Sequence, residues 1–154
     1  MLIDIENLLI VIDKLKKQGK TIVSTNGCFD LLHYGHINYL ERSKALGDVL
    51  IVLVNSDSSV RMLKSIGKPL NSEKIRAKSI AALKSVDYCV VFDDITPTRL
   101  LEIIKPDVHT KGADYSMLEM PERQVVEQNG GRVELIKFIP YSTTIDKVKF
   151  ITED

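Results

Sequence analysis

The chain has 154 residues, of which 44% are hydrophobic and 27% charged, as in an ordinary globular domain. The 21 lysines and arginines equal the 21 aspartates and glutamates, so there is no net positive charge to attract nucleic acid or an anionic membrane. Cys28 and Cys89 are too few for a disulfide framework and are expected to be small buried residues. With an acidic start and no apolar stretch of membrane-spanning length, we expect one cytoplasmic domain over residues 1–154 that binds small molecules, with no nucleic-acid or membrane partner.

The first half of the chain predicts a helix and then strand, helix and strand. Apolar residues recur at helical spacing over about residues 4–18, which predicts an N-terminal helix. The β-branched run 21–25 predicts a strand, and the apolar spacing over 37–46 predicts a helix after it. Residues 49–54 are continuously apolar, as in a strand buried on both faces, and the polar residues 55–57 are expected to form a loop.

The second half repeats this alternation. Helices are predicted at 71–83, 96–104, 118–128 and 142–150, and strands at 88–92, 108–110 and 133–139. Strands that alternate with helices form right-handed crossovers onto a parallel sheet, so the expected fold class is α/β, a single-domain, open, doubly wound, Rossmann-like sheet. Ligands bind such sheets beyond the carboxyl ends of the strands. The polar segments 26–36, 55–57, 111–114 and 141–144 are therefore expected to face one cleft.

One segment, Gly-Cys-Phe-Asp-Leu-Leu-His-Tyr-Gly-His at 27–36, lies where the first strand turns into a helix. Unpaired N–H groups and the helix dipole make a helix start an anion site, and Gly35 leaves the backbone open to a phosphate. His33 and His36 lie on the same side of the first helical turn, where they can donate hydrogen bonds or add charge. The pattern favours a phosphate-handling site; one capping and one packed histidine are the structural alternative. The turn lacks G-x-G-x-x-G, which excludes an ordinary dinucleotide-binding hydride-transfer enzyme.

This segment resembles the signature G-x-F-D-x-x-H-x-G-H of the cytidylyltransferase-like nucleotidyltransferases. All six fixed positions match, namely Gly27, Phe29, Asp30, His33, Gly35 and His36. The resemblance implies that His33 and His36 are catalytic and contact the α- and β-phosphates of a nucleoside triphosphate. It also implies a nucleotide-binding role for Asn26, Gly27, Cys28, Phe29, Asp30 and Gly35.

Two later segments resemble parts of the same family. Lys111-Gly112-Ala113-Asp114 is similar to the family's K-G-x-D, which implies that Lys111, Gly112 and Asp114 line the nucleotide pocket. Segment 141–144 is similar to the family's Ser-Thr-Thr turn, although Pro140 stands where the family often has glycine. Helix capping by a single hydroxyl is the alternative there. The resemblance implies phosphate binding by Tyr141, Ser142, Thr143 and Thr144.

Polar and basic residues between the second predicted strand and the following helix complete the candidate site. The resemblance implies that Lys64 neutralises phosphate charge during catalysis. Isolated loop lysines are usually solvated, which is the alternative for Lys64 and Lys68. His109, inside a predicted strand, is expected to be structural. The resemblance implies a substrate-phosphate site made of Asn55, Asp57, Lys64, Lys68 and Arg76.

Longer segments narrow the resemblance to the branch of this family that forms ADP-heptose. They include Thr-Asn-Gly-Cys-Phe-Asp at 25–30, Lys-Pro-Leu-Asn at 68–71 and Pro-Asp-Val-His-Thr-Lys-Gly-Ala-Asp-Tyr at 106–115. This branch implies transfer of AMP from ATP to a sugar 1-phosphate, D-glycero-β-D-manno-heptose 1-phosphate, with release of pyrophosphate. It also implies a homodimer and Mg²⁺ held mainly by nucleotide phosphates and water. Since 154 residues leave no room for a fused sugar kinase, any kinase step is expected to need another protein.

Three other functions stay open at this point. A glycerol-3-phosphate cytidylyltransferase, which makes CDP-glycerol from CTP, shares the histidine motif and the Ser-Thr-Thr turn. A regulatory nucleotide-binding module without turnover would keep the same pocket, although the intact histidine pair argues against it. A metallohydrolase built on His33, His36 and Asp30 lacks a further clustered ligand. Spacing alone decides neither the base nor the acceptor.

Overall fold

Helices and strands alternate along the chain in the computed structural model, which describes residues 1–64, 67–113 and 120–137. The strands are β1 (Ile22–Gly27), β2 (Val49–Asn55), β3 (Tyr88–Phe92), β4 (Val108–Gly112) and β5 (Arg132–Ile136). The helices are α1 (Ile5–Lys17), α2 (Tyr34–Lys44), α3 (Asp57–Leu63), α4 (Glu73–Ala81), α5 (Thr98–Ile104) and α6 (Pro121–Gln128). None of the helices in this part of the chain is long and apolar enough to span a bilayer.

The five strands form one parallel sheet in the order β3-β2-β1-β4-β5. This order confirms the doubly wound α/β fold predicted from the alternation of strands and helices. The chain adds β2 and β3 on one side of β1 and then returns to add β4 and β5 on the other. The order thus reverses between β1 and β4, and a doubly wound sheet opens its ligand crevice where this reversal occurs.

Apolar side chains pack on both faces of the sheet. One cluster joins the sheet to α1, α5 and α6, and a second cluster joins it to α2 and α4. Every residue of β2 is buried, and all of them except the last, Asn55, are apolar, as expected for a strand covered on both faces. Each fully buried Leu, Ile or Val contributes about 1.5–3 kcal/mol, so these two layers supply the main stabilisation of the scaffold.

The segment after β2 differs from the expected loop. Asn55 ends the strand, Ser56 caps a helix by accepting a hydrogen bond from the Ser59 backbone N–H at 3.1 Å, and Asp57 is the first residue of α3. Two smaller shifts accompany it. α4 begins at Glu73, with Ser72 as its N-cap, rather than at 71, and Lys111 lies within β4 rather than after it.

Other element bounds agree with the sequence patterns to within a few residues. Strand β3 has the predicted bounds, and α1 lies within the predicted 4–18. α5 starts at Thr98, just after the predicted opening at 96. The predicted helix at 142–150 lies outside the described residues. Residues 1–3 add a short parallel pairing to the edge strand β3, where the Ile3 N–H donates to the Cys89 carbonyl at 2.9 Å.

Candidate active site

The loop between β1 and α2 is fixed by Asp30. Its carboxylate accepts hydrogen bonds from the backbone N–H groups of Leu70 and Asn71, each at 2.9 Å. The Asn71 side-chain amide donates in turn to the Asp30 carbonyl at 2.7 Å, and the Lys68 ammonium lies 3.8 Å from the carboxylate. Asp30 therefore ties the segment 68–71 to the motif loop. The contacts of the Asp30 carboxylate and of Lys68 thus hold two loops together.

Two glycines of the motif make room for aromatic rings. A Cβ on Gly27 would lie 2.9 Å from Cε2 of Phe29, and a Cβ on Gly35 would lie 2.9 Å from Cε1 of His33. Phe29 itself has a left-handed backbone conformation, with φ of 49°, which a non-glycine residue adopts only when its surroundings enforce it. Its ring meets the ring of His36 edge-on, with centroids 5.4 Å apart. The spacing of the motif thus brings the rings of Phe29, His33 and His36 into one aromatic cluster.

His33 and His36 are stacked on each other. Their ring centroids lie 3.8 Å apart with an interplanar angle of 26°. His33 occupies the N-cap position of α2, but its side chain makes no capping hydrogen bond, so the simple capping alternative is wrong. In both rings Nδ1 is buried without a hydrogen-bond partner among the described residues. Because an unsatisfied buried polar atom is costly, two of them side by side at a helix N-terminus indicate a place for a ligand.

The pKa of His36 lies at about 4, against 6.5 for an unperturbed histidine. Burial is the largest cause, followed by the charge of the neighbouring His33, and the charge of Lys64 lowers this pKa further. His36 is therefore neutral at pH 7. A hydrogen bond to the Leu31 carbonyl acts in the opposite direction and raises this pKa. A neutral imidazole carries one N–H, so His36 can donate it either to that carbonyl or to a phosphate oxygen, and it brings no positive charge.

Lys64 supplies positive charge next to the histidine pair. It follows the last residue of α3, its side chain is exposed, and its charge lowers the pKa of both His36 and the Cys28 thiol. Burial has the larger effect on Cys28 and raises the pKa of its thiol. The exposed ammonium of Lys64 can therefore reach an anion at the histidines, whereas the thiol stays protonated and half-buried.

Arg76 is buried in the fold, although the resemblance implies a phosphate contact. Its guanidinium donates to the Cys28 carbonyl at 2.6 Å, to the Asn71 carbonyl at 3.0 Å and to the Asp57 carboxylate at 2.8 Å. The side chain of Arg76 is 0% exposed. It therefore joins the motif loop to α3 and to the loop before α4. In this position Arg76 holds the motif loop in place through buried hydrogen bonds.

Asn55 and Asp57 are also held by neighbouring residues. The Asp57 carboxylate accepts from the Glu73 backbone N–H at 2.7 Å, and the Glu73 carboxylate accepts from the Asp57 N–H at 2.7 Å, so each acid caps the other's helix. The side-chain amide of the buried Asn55 donates to the Ser59 hydroxyl at 2.8 Å. Both residues stay substrate-phosphate candidates only by their place at the carboxyl end of β2.

The opposite wall of the crevice comes from the ends of β1 and β4. Lys111 is buried in β4 and forms an ion pair with Glu122 of α6, with Nζ and Oε1 3.0 Å apart. Glu122 could not be predicted from the sequence as a partner of Lys111, since an acid on a helix normally faces solvent. Gly112 is buried beside Lys111, and Oδ1 of Asn26 is buried without a partner among the described residues. Asp114, Tyr141, Ser142, Thr143 and Thr144 lie outside the described residues.

The described residues provide no ready-made protein cage for a cation. Within this part of the chain no three His, Cys, Asp or Glu side chains are grouped so that they can hold a metal ion. The carboxylate of Asp30, the acid of the motif, already accepts hydrogen bonds from the backbone N–H groups of Leu70 and Asn71.

The chain is similar to known proteins over most of its length. A family model described as cytidylyltransferase-like matches residues 24–149. The bifunctional protein HldE of Geobacter metallireducens is 49% identical over 148 residues, which cover 94% of this chain and 30% of that protein. HldE of Pseudomonas aeruginosa is 44% identical over 148 residues, covering 94% of this chain and 31% of that protein. The chain thus spans about 30% of the length of these curated relatives.

Two solved structures share the fold. A lipopolysaccharide core biosynthesis protein from Thermoplasma volcanium is 34% identical with a TM-score of 0.67, and the match covers 80% of this chain and all of that one. The pantoate-beta-alanine ligase from Francisella tularensis is 16% identical with a TM-score of 0.62, and the match covers 92% of this chain and 68% of the ligase chain. At this identity the match shows a common fold and nothing more. The family model and the first of these structures each cover most of the chain. The chain therefore belongs to the cytidylyltransferase-like family, a family of nucleotidyltransferases.

Proposed function

We propose that this protein transfers AMP from ATP to a sugar 1-phosphate, D-glycero-β-D-manno-heptose 1-phosphate, to give ADP-heptose and pyrophosphate. The observation that carries the proposal is the stacked pair His33 and His36 at the start of α2, whose buried Nδ1 atoms have no hydrogen-bond partner among the described residues. The description of the solved relative as a lipopolysaccharide core biosynthesis protein supports a sugar acceptor, because that core is a saccharide. The similarity to HldE supports the ADP-heptose branch implied by the sequence segments.

The reaction needs position and charge more than it needs a strong base. An oxygen of the sugar phosphate is already an anion at neutral pH and attacks the α-phosphorus of ATP in line. A bond forms between that oxygen and the α-phosphorus while the bond to the β-phosphate oxygen breaks, and pyrophosphate leaves with the bonding electrons. Catalysis then comes from holding the two anions together and stabilising the charge that develops on the phosphate oxygens.

Different described residues bind the phosphates and stabilise their charge. Neutral His36 donates its single N–H to an α- or β-phosphate oxygen, and His33 contacts the same phosphates from the stacked ring. The dipole of α2 adds partial positive charge at its N-terminus, and Lys64 adds a full charge. Asn26, Gly27 and Lys111 border the nucleotide at the ends of β1 and β4.

Other parts of the proposal rest on the resemblance. Ser142, Thr143 and Thr144, with Tyr141, bind the triphosphate, and Asp114 lines the nucleotide pocket. Mg²⁺ supplies neutralisation of phosphate charge when ATP brings it in. The proposed enzyme is a cytoplasmic homodimer whose partners are small molecules.

The second candidate is transfer of CMP from CTP to glycerol 3-phosphate. The matching family model is described as cytidylyltransferase-like, and transfer of a cytidylyl group from CTP is the reaction in that description. The histidine pair serves both reactions equally, since it acts on phosphates and not on the base. Recognition of the base therefore separates the two candidates.

A screen of pyrophosphate release decides between them. ATP, CTP and GTP are each offered with heptose 1-phosphate, other sugar 1-phosphates and glycerol 3-phosphate, in the presence of Mg²⁺. We expect release above background with ATP and heptose 1-phosphate, and kcat/KM for this pair at least tenfold above any other. Release only with CTP and glycerol 3-phosphate would replace the first proposal by the second. Stabilisation by ATP with no release for any acceptor would indicate a regulatory module.

A further inference from the structure

We propose that four buried hydroxyls, those of Thr25, Tyr39, Ser43 and Thr110, form a positioning network that holds the histidine pair at the crevice between β1 and β4. The inference rests on the proposed function, to which it adds residues that touch no substrate. All four side chains are at most 5% exposed. They come from α2, β1 and β4, the three elements that border the crevice.

The four hydroxyls are joined to each other and to backbone carbonyls. The hydroxyl oxygens of Thr25 and Tyr39 are 2.7 Å apart, and those of Ser43 and Thr110 are 2.8 Å apart. Thr25 donates to the Thr110 carbonyl at 3.0 Å, and Ser43 donates to the Tyr39 carbonyl at 2.9 Å. A longer contact of 3.3 Å joins the hydroxyls of Tyr39 and Thr110.

One proton arrangement satisfies the four short contacts together. Because Thr25 uses its proton on the Thr110 carbonyl, it must accept from Tyr39. Because Ser43 uses its proton on the Tyr39 carbonyl, it must accept from Thr110. Each hydroxyl then donates once. Such a connected set fixes directions as well as distances, and removal of one member deprives a buried hydroxyl of one of its hydrogen bonds.

Helix α2 needs a directional anchor of this kind. Its buried residues are Gly35, Tyr39, Leu40 and Ser43, so Leu40 is the one aliphatic side chain among them. Apolar contacts are not directional, and a few of them leave a helix free to rotate or slide slightly on the sheet. Hydrogen bonds from Tyr39 and Ser43 to both neighbouring strands remove that freedom.

The network lies directly behind the candidate site on all three elements. Tyr39 follows His36 by three residues and so lies on the same side of α2. Thr25 precedes Asn26 on β1, and Thr110 precedes Lys111 on β4, with Thr25 and Thr110 paired in register. A small rotation of α2 would move the imidazoles relative to both strand ends. The network therefore sets the distance between the histidines and a bound nucleotide.

Removal of the Tyr39 hydroxyl tests this inference. In Tyr39→Phe the ring remains, and Thr25 loses its donor. We expect kcat to fall about 10- to 100-fold, the loss typical of a displacement of reacting groups by up to about 1 Å, with KM for ATP changed less than threefold. The ring signals of His36 in a proton NMR spectrum are expected to shift, and its pKa to rise as the ring becomes more solvated. The chain has three histidines, so these signals can be assigned by substitution.

Two comparisons separate positioning from stability. Ser24 precedes Thr25 in β1, and its buried hydroxyl lies 2.8 Å from Nδ1 of His109, outside the network. Ser24→Ala is therefore expected to lower the melting temperature and to leave the His36 signals and kcat unchanged. Thr110→Val breaks the network from the strand side and is expected to reproduce the Tyr39→Phe effect. Thr110→Ser keeps the hydroxyl and is expected to restore kcat to within threefold of wild type.

The outcomes are distinguishable. Unchanged His36 signals and kcat in Tyr39→Phe and in Thr110→Val would overturn the inference, even if both variants melt earlier. If Tyr39→Phe does not fold, the pair Thr110→Val and Thr110→Ser decides alone. If wild-type protein releases no pyrophosphate with any acceptor, the proposed function fails, and the His36 signals still test the network without any substrate.

Discussion

Replacement of His36 by alanine is expected to lower kcat by about 100- to 1000-fold, the usual loss when one hydrogen-bond donor to a developing oxyanion is removed. KM for ATP is expected to rise far less, because the hydrogen bond strengthens only as charge develops in the transition state. The stacked geometry adds a second effect, since loss of the ring removes the packing partner of His33 and Phe29. Steady-state rates of pyrophosphate release measure the change.

Glu41→Ala is the matched control for this variant. Glu41 is an exposed residue of the same helix, so its substitution tests general effects on α2. We expect it to keep kcat within twofold of wild type. His36→Ala with full wild-type kcat, in protein that remains folded by circular dichroism, would remove His36 from the chemistry. A loss confined to KM would assign it to ground-state binding instead.

Arg76→Met is expected to destabilise the protein by about 3 kcal/mol, as when one partner of a buried charge pair is removed. The methionine keeps an apolar stem of similar length, but the carbonyls of Cys28 and Asn71 and the carboxylate of Asp57 lose their donor. Asp57 keeps some access to water, which holds the loss at the lower end of the range for such pairs. Urea unfolding measures it.

The comparison variant is Lys78→Met, which removes an exposed cation from the same helix. Its expected effect on the free energy of unfolding is within about 0.5 kcal/mol, as for other surface substitutions. If Arg76→Met unfolds like wild type and instead raises KM for the phosphate acceptor, Arg76 binds substrate as the family resemblance implies. The buried hydrogen bonds described above would then not hold the loop.

Sequence pattern predicted the scaffold well because each strand carries its own signal. β2 and β3 are short apolar runs between polar segments. Runs of this length are too short for a typical helix and are typical of buried strands. α3 was missed because this seven-residue helix begins at Asp57, inside a polar triplet that also fits a loop. The Ser56 cap was a usable signal, since a serine followed by an acid is common at a helix start.

One part of the candidate site could likewise be predicted from the sequence, and another part could not. The motif around His33 and His36 was recognisable because its chemistry lies in consecutive residues. The structural use of Arg76 and Asp30 was not predictable, since it depends on partners 19 to 48 residues away in the chain. The pairing of Lys111 with Glu122 is hidden for the same reason. Charged residues in a motif therefore need the fold before they can be assigned to substrate.

The most direct test of the histidine pair as a triphosphate site is a titration of ¹⁵N-histidine-labelled protein with Mg·ATP, followed through the ring nitrogen signals. Saturable changes at His33 and His36 are expected, in the range that a new hydrogen bond to phosphate produces, while His109 changes little because it is fully buried. Binding of ATP detected by calorimetry with no change at either His33 or His36 would contradict a triphosphate site at this pair.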